Sequence, residues 1–261
     1  MLLLLFFCTL LFISVIEIFY FKNSIKNLRQ YKLIYILLLI FLFFYTGFRP
    51  IGSDRDSEMY QQYFYQFQTI NYNDVFFNNP HRIKEIGYVI LNKLFKDLGF
   101  RALLVFVAFL SIFPKGYILF RFTNYPIFSL FLYFSFSFLI RDYTQIRDAV
   151  SVSFMLISFL AFFYKKYFLT LFSFLFATSF HYIALVEIPI LFFLRFIKKE
   201  RWYWVLIIIS LIYYVSDFTK ILYNYIYLPE QLFKYKNING GGSFSMVFFL
   251  IAVLLIVKKY K

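Results

Sequence analysis

The sequence predicts an all-α protein that crosses a membrane many times. The first observation is composition: 62% of the 261 residues are hydrophobic and only 15% are charged, with a mean hydropathy of +0.72. Soluble domains are nearer half apolar and one-quarter charged. The second observation is a series of long apolar runs, and the third is that alternate segments between these runs are basic. Together they predict a polytopic bundle of membrane-spanning helices.

The apolar runs number nine. They cover roughly residues 2–21, 33–48, 102–120, 126–140, 149–164, 167–180, 183–197, 202–216 and 245–257. Several are shorter than the about 20 residues that a spanning helix needs, so their ends must extend into the polar segments. Pro114 and Lys115 interrupt the third run, which predicts a kink or a lysine that extends its amine to the membrane surface. We expect about nine transmembrane helices in a single domain, residues 1–261.

The basic segments predict which side of the membrane each loop faces. Their cations are Lys22, Lys26, Arg29 and Lys32, then Lys115 and Arg121, Lys165 and Lys166, Lys198, Lys199 and Arg201, and finally Lys258, Lys259 and Lys261. By the positive-inside rule these segments are cytoplasmic, which places the N-terminus outside and the C-terminus in the cytoplasm. We interpret the first run as a retained anchor, because it lacks a basic start and a cleavage site. The net charge of +14 does not indicate nucleic-acid binding, because it is spread between apolar runs.

The remaining segments, on the outer side, carry mixed charge. They are the loop 49–101, with predicted short amphipathic helices, the stretch 141–148, the residues around His181, and the loop 217–244. Acidic residues contribute little to orientation, so topology does not explain them. The sequence therefore predicts that the functional chemistry lies at the outer membrane boundary.

The loop after the second run begins with a crowded set of charges. Pro50 and Gly52 break the apolar helix, and Ser53 or Asp54 is suited to cap a new helix that begins near Arg55. Apolar and aromatic side chains then follow at helical spacing, which predicts a helix on the membrane or over the bundle; they are Met59, Tyr63, Phe64 and Phe67. Arg49 and Arg55 would face the space above the bundle. The alternative is an interfacial turn whose arginines extend their guanidinium groups to the aqueous phase without a functional role.

A second amphipathic helix is predicted from Ile86 to Leu98, where apolar residues recur at helical spacing. Glu85 precedes it, in a position that is favourable for a carboxylate next to the helix dipole. Gly99 fits a helix C-terminus. The dipole alone accounts for Glu85, so a functional role for it is the weaker of the two interpretations.

The third segment combines arginines with an aspartate. Arg141, Gln145 and Asp148 are spaced to share one helix face, and Arg147 lies on a neighbouring face. Two guanidinium groups at a helix start suit an anionic lipid headgroup, particularly a diphosphate. The alternative is a set of arginine–aspartate bridges that closes a hairpin.

His181 ends one apolar run, and Glu187 lies inside the next. Glu187 is placed to pair with an arginine or to orient His181, because an ionisable group within a membrane needs a partner. The alternative for His181 is a purely structural histidine. We expect no metal and no cofactor, since metal-ligand spacings and phosphate-binding loops are not found in the sequence.

Four short motifs follow one another along the chain. The first comprises Phe48-Arg49, Gly52-Ser53-Asp54 and Tyr60. The others are Glu85-Ile86-Gly87-Tyr88, Arg147-Asp148-Ala149, and the run from Phe180 to Leu185. In order and spacing they resemble the motifs of the EpsG-like, Wzy-type polysaccharide repeat-unit polymerases. The glycines at 240–242 resemble a later loop of that family. This sequence differs from the family pattern at Ile86, Asp148 and Ala184, which replace proline, glutamine and serine.

The resemblance implies a glycosyltransferase of the bacterial cytoplasmic membrane. Its substrates would be oligosaccharide repeat units linked to undecaprenyl diphosphate, which it joins into O-antigen, capsule or exopolysaccharide at the outer face. The implied partners are membrane lipids, a chain-length regulator and a flippase, with no nucleic acid. We expect His181 and Asp54 to be catalytic. The expected diphosphate- and glycan-binding residues are Arg49, Arg55, Arg141, Arg147, Gln145, Tyr60 and Glu85.

Two other functions fit the same chain. A membrane O-acyltransferase would use His181 but would not require the outer arginines. A glycolipid flippase or transporter would place polar residues near the midplane of several helices.

Overall fold

The computed structural model of this chain describes residues 2–20, 29–69, 85–186 and 191. The chain forms two compact units, Met1–Leu191 and Phe192–Lys261, and every described residue lies in the first. Predictions for Glu187 and the loop 217–244 lie outside the described residues, as do those for the last two apolar runs and most of the run before them.

The described residues are helical and contain no strand, which confirms the predicted all-α class. The α-helices are α1 (Leu2–Tyr20), α2 (Arg29–Gly47), α3 (Ser57–Thr69), α4 (Ile86–Leu94), α5 (Gly99–Phe122), α6 (Pro126–Tyr133), α7 (Ile146–Phe163) and α8 (Tyr167–Phe180). A π-helical segment, Phe134–Asp142, continues α6, and a 3₁₀ turn, Tyr182–Val186, follows α8.

Four described helices are long and apolar enough to cross a membrane: Leu2–Phe19 within α1, together with α2, α5 and α7. The apolar helix α8 has 14 residues, which is short for a span. The prediction of a membrane protein built from apolar helices is supported. The predicted count of nine spans is not confirmed.

Two of the predicted helices, α3 and α4, form a cap over one end of the bundle. Tyr60, Phe64 and Phe67 of α3 are buried against α5, α7 and α4. Of the two predicted placements, on the membrane or over the bundle, the structure shows the second. We refer to α3 and α4 as the cap, and to this side of the bundle as the cap end. In the bundle, α2 packs on α5, α5 on α7, and α7 on α8.

Buried charges in the bundle have partners. Glu17 of α1 is 3% exposed and accepts hydrogen bonds from the backbone N–H groups of Ile127 and Phe128, at 3.2 and 2.7 Å. It also accepts a hydrogen bond from the Tyr31 hydroxyl. The first N–H groups of a helix lack partners within the helix, so Glu17 satisfies two of those of α6.

The expectation that Lys115 reaches the membrane surface is wrong. Its side chain is 3% exposed, and Nζ lies 2.6 Å from Oδ1 of Asp142 and 3.1 Å from the carbonyl oxygen of Ala149. Helical side chains point toward the N-terminus of their helix, so Lys115 extends back toward the cap end. A carboxylate within reach there replaces the water that the amine would otherwise need. Helix α5 continues through Pro114 without ending.

The prediction that Arg141, Gln145 and Asp148 share one helix face is also wrong. The π-helical segment ends at Asp142 and α7 begins at Ile146, so the chain turns between them. Gln145 is exposed at this turn. Arg141 Nη1 still lies 2.7 Å from Asp148 Oδ2, now across the turn. One arginine–aspartate bridge of the alternative interpretation is therefore present, whereas Arg147 pairs with Glu85 instead.

We expect Lys115→Met to destabilise the protein by about 3–5 kcal/mol, because it leaves the Asp142 carboxylate buried without its cation. The double variant Lys115→Met/Asp142→Leu removes both charges and is expected to recover most of that loss. The measurement is thermal unfolding of the purified protein in detergent. Lys96→Met, at an exposed lysine, is the matched control. A double variant as unstable as the single one would show that ion pairing is not what Lys115 contributes.

Candidate functional site

Three of the arginines at the cap end of the described bundle each contact a carboxylate. The pairs are Arg49 with Asp54, Arg141 with Asp148, and Arg147 with Glu85. The Arg49–Asp54 pair lies in the loop before α3. The Arg141–Asp148 pair joins the two sides of the turn before α7. The Arg147–Glu85 pair joins the cap to the bundle. Charge is therefore concentrated here, and it is balanced locally.

The Arg49–Asp54 pair organises the entry to α3. Arg49 Nε lies 2.8 Å from Asp54 Oδ2, and both side chains are 1% exposed. The other oxygen, Oδ1, accepts the backbone N–H groups of Asp56 and Ser57 at 3.0 and 2.9 Å. This confirms Asp54 as the cap of the new helix. Both oxygens of Asp54 are thus engaged in holding the loop, which favours a structural role over a catalytic one.

Gly52 completes this loop. Its φ of +85° lies in the left-handed region that favours glycine. In that conformation its N–H donates to Ser57 Oγ at 2.9 Å. The geometry of this one turn therefore explains why the chain has glycine at position 52, aspartate at position 54 and serine at position 57.

Tyr143 connects this loop to the turn before α7. Its hydroxyl lies 2.9 Å from Ser53 Oγ, and its ring centroid lies 5.3 Å from Arg49 Cζ. Burial lowers the pKa of Arg49, while the nearby Asp54 carboxylate opposes that shift. Tyr143 was not among the predicted site residues, because a tyrosine within an arginine-rich turn has no distinguishing spacing.

Glu85 is the centre of the second and larger cluster. Its side chain is 5% exposed and contacts two functional groups at once. Oε2 accepts a hydrogen bond from Arg147 Nη1, and Oε1 lies 2.9 Å from His181 Nδ1. Glu85 precedes α4, Arg147 is in the first turn of α7, and His181 ends α8. The carboxylate thus joins the cap to two bundle helices, and it makes no side-chain cap bond to its own helix.

Two tyrosines of the cap enclose Arg147. Its Cζ lies 5.6 Å from the Tyr60 ring centroid and 5.7 Å from that of Tyr88. Burial raises the pKa of Tyr60 to about 12 and also raises the pKa of Tyr88. Both phenols are therefore neutral at physiological pH. Ring faces attract a guanidinium, so Arg147 is held by aromatic surfaces as well as by Glu85.

Close packing of α4 on α8 brings Glu85 to His181. A Cβ atom on Gly87 would lie 2.2 Å from Ser179 Oγ and 3.0 Å from the Ser179 carbonyl oxygen. Only glycine allows this approach without movement of one helix. Gly87 is two residues from Glu85, and Ser179 is two residues from His181, so the contact fixes their separation.

The structure brings together four of the predicted site residues: Glu85, Arg147, His181 and Tyr60. Arg49 and Asp54 pair with each other in the loop before α3. Arg141 pairs with Asp148 at the turn, whereas Arg55 and Gln145 are exposed. Sequence reasoning missed Tyr88, although the glutamate–glycine–tyrosine motif contains it. It explained Glu85 by the helix dipole or as a substrate-binding residue, and it did not predict the contact between Glu85 and His181.

This arrangement places a base beside a cation. If the His181 Nδ1–H donates to Glu85, Nε2 keeps its lone pair and can accept a proton. A carboxylate behind the imidazole also stabilises the imidazolium that then forms. Among the described residues, no three His, Cys, Asp or Glu side chains form a group suited to a metal ion.

We expect Gly87→Ala to lower the melting temperature of the purified protein in detergent, because α4 must move away from α8. Gly99→Ala probes a second glycine at which a Cβ meets nothing within 4 Å, although its φ of +84° adds backbone strain. An unchanged melting temperature of Gly87→Ala would contradict this account of the α4–α8 contact.

Comparison with known proteins agrees with the motifs at this site. A sequence model of the EpsG family matches residues 32–261, which include the whole of the clusters described above. No curated protein and no solved structure matches the chain. Because the family match covers far more than half of the sequence, the chain belongs to the EpsG family, a family of polysaccharide polymerase-like membrane proteins.

Proposed function

We propose that this protein is a glycosyltransferase that joins undecaprenyl-diphosphate-linked oligosaccharide repeat units into a surface polysaccharide. The reaction takes place at the outer face of the bacterial cytoplasmic membrane. One observation carries the proposal: Glu85 contacts both Arg147 and His181. A single carboxylate thereby holds a cation and a base side by side, which is what transfer of a sugar from a diphosphate requires.

His181 is the general base of the proposed reaction. Its Nε2 accepts the proton of the acceptor sugar hydroxyl as the oxygen attacks the anomeric carbon of the growing glycan. A positioned base of this kind contributes about 10²–10⁴-fold to the rate. Glu85 is a positioning residue, because it orients the imidazole and stabilises its protonated form.

Arg147 stabilises the leaving group. As the new glycosidic bond forms, the bond between the anomeric carbon and the diphosphate oxygen breaks, and its electron pair leaves with the undecaprenyl diphosphate. Glu85 uses one nitrogen of Arg147, and a guanidinium has five N–H donors in total. Bidentate donation to phosphate oxygens therefore remains available. Arg49 and Arg141 add positive charge around the same end of the bundle.

The membrane location fits this chemistry. The basic segments between apolar runs predict that the cap faces outward, with the N-terminus outside and the C-terminus cytoplasmic. Lipid-linked repeat units become available at that face after a flippase has moved them. We therefore propose that a flippase supplies the substrate and that a chain-length regulator acts with the polymerase.

We expect His181→Ala and Arg147→Ala to abolish long-chain glycan in a polymerase-deficient strain that the wild-type chain complements. Glu85→Gln is expected to reduce polymer by about tenfold or more, because the amide neither stabilises the imidazolium nor balances Arg147. The measurement is glycan length on gels, normalised to the amount of protein in the membrane. The exposed Arg121→Ala is the matched control and should behave as wild type.

Complementation by all three variants would contradict the assigned site. A wild-type chain that forms no polymer, while repeat units reach the outer leaflet, would contradict the proposed function. Loss of repeat units from the outer leaflet would instead support a flippase.

We also expect alkaline phosphatase fused after residue 70 to be active and the same enzyme fused after residue 166 to be inactive. The enzyme folds only on the outer side of the bacterial cytoplasmic membrane, so its activity reports which side each loop faces. The reverse pattern would place the cap in the cytoplasm, where flipped repeat units are not available.

A further inference from the structure

We propose that an apolar groove on the lipid-facing side of α2 and α5 binds the polyprenyl chain of the diphosphate-linked substrate. This proposal rests on the proposed function and deepens it by assigning a site to the hydrocarbon part of the substrate. The groove has a volume of about 590 Å³ and lies at the cap end of the two helices. Phe43 and Phe48 form one wall, and Ala102, Phe106 and Phe109 of α5 form the other.

Along α5, the groove is about as long as one membrane leaflet is thick. Along α5 it extends from Arg101 to Phe109, which corresponds to about 12 Å at about 1.5 Å per residue. Half of a hydrocarbon core of about 30 Å is similar in depth. The groove therefore extends from the membrane surface at the cap end to a point near the midplane. A lipid whose headgroup stays at that surface places the start of its chain here.

The lining suits a branched hydrocarbon. Phe48 is 55% exposed, Phe109 is 49% exposed and Phe106 is 37% exposed, so their rings are presented to lipid rather than to the protein core. Almost all of the lining is apolar. An isoprenoid chain carries a methyl branch in every unit, and such branches pack into a recess between rings better than onto a smooth helix surface.

The charge at the surface end suits an anionic headgroup. Among the described residues that line the groove, Arg101 carries the only charge. Its Nη1 donates to the carbonyl oxygen of Arg49. The Arg49 guanidinium lies in turn 5.3 Å from the ring centroid of Tyr143, in the turn that leads into α7 and Arg147. A polyprenyl chain bound in the groove thus places its diphosphate near the arginines of the proposed site. A neutral polyprenol lacks the diphosphate that these arginines would bind.

The experiment uses the full chain in nanodiscs of phosphatidylglycerol, and the probe is undecaprenyl diphosphate with a diazirine in its isoprenoid chain. After photolysis, labelled peptides are identified by mass spectrometry. We expect labelling of α2 and α5 residues of the groove, competed by unlabelled undecaprenyl diphosphate and not by undecaprenol. Ala102→Trp fills the groove, and loss of about two buried methylene contacts corresponds to about tenfold weaker labelling. Leu175→Trp, at an exposed position of α8, is the matched control and should leave labelling unchanged.

A second pair of variants tests the charged end. Arg101→Gln should weaken competition by the diphosphate, and Arg101→Lys should largely retain it. Folding of each variant is verified by its melting temperature and by a single peak in size-exclusion chromatography.

Equal labelling by a diazirine-bearing phosphatidylglycerol, or labelling that Ala102→Trp leaves unchanged, would overturn the assignment and leave the groove as ordinary lipid-facing surface. The proposed function fails in a different way. If the groove is labelled specifically but the wild-type chain forms no polymer, the lipid site stands and the polymerase assignment falls.

Discussion

The carboxylate of Glu85 is the contact on which the rest of the candidate site depends. It reaches from the cap to α7 and α8 at once, and its two oxygens engage Arg147 and His181. It is the one carboxylate that both the Arg147 guanidinium and the His181 imidazole contact among the described residues. The close approach at Gly87 and the rings of Tyr60 and Tyr88 support the same geometry from the cap side.

The membrane setting explains why these charges are paired. Moving a charge away from water is costly, and an opposite charge with good hydrogen-bond geometry offsets that cost. Lys115 with Asp142, below the site, follows this rule within the bundle, and Glu17 follows it at the start of α6. The three arginine pairs at the cap end follow it too. Arg49 with Asp54 is fully buried, whereas the side chains of Arg141 and Arg147 are 19% and 24% exposed. The proposed diphosphate substrate would share or replace a carboxylate partner of Arg147, and its two negatively charged phosphates suit that exchange.

The sequence predicted the parts of this site more successfully than their connections. Apolar runs and helical spacing located α1, α2, α5, α7 and α8 to within a few residues, because burial in lipid or in a core imposes a period that any sequence must follow. The helix break at Gly52 and a helix cap at Ser53 or Asp54 were also predicted from the sequence. The pairing of Glu85 with His181 was not predicted, because the two residues are far apart in sequence and neither carries a pattern that depends on the other. The helix expected across Arg141 to Asp148 failed for a related reason, since Lys115 binds Asp142 from another helix and periodicity does not include such contacts.

By itself, the sequence determined the all-α class, the membrane environment and the set of polar residues from which the site is drawn. These follow from composition and from local spacing, which act before the chain folds. Only the tertiary structure decided which carboxylate meets which cation. It assigned Asp54 to the loop before α3, Glu85 to the pair of Arg147 and His181, and Lys115 to the interior. Those choices depend on how helices pack against one another, and the free energy of an ion pair is set by the distance and burial that packing creates.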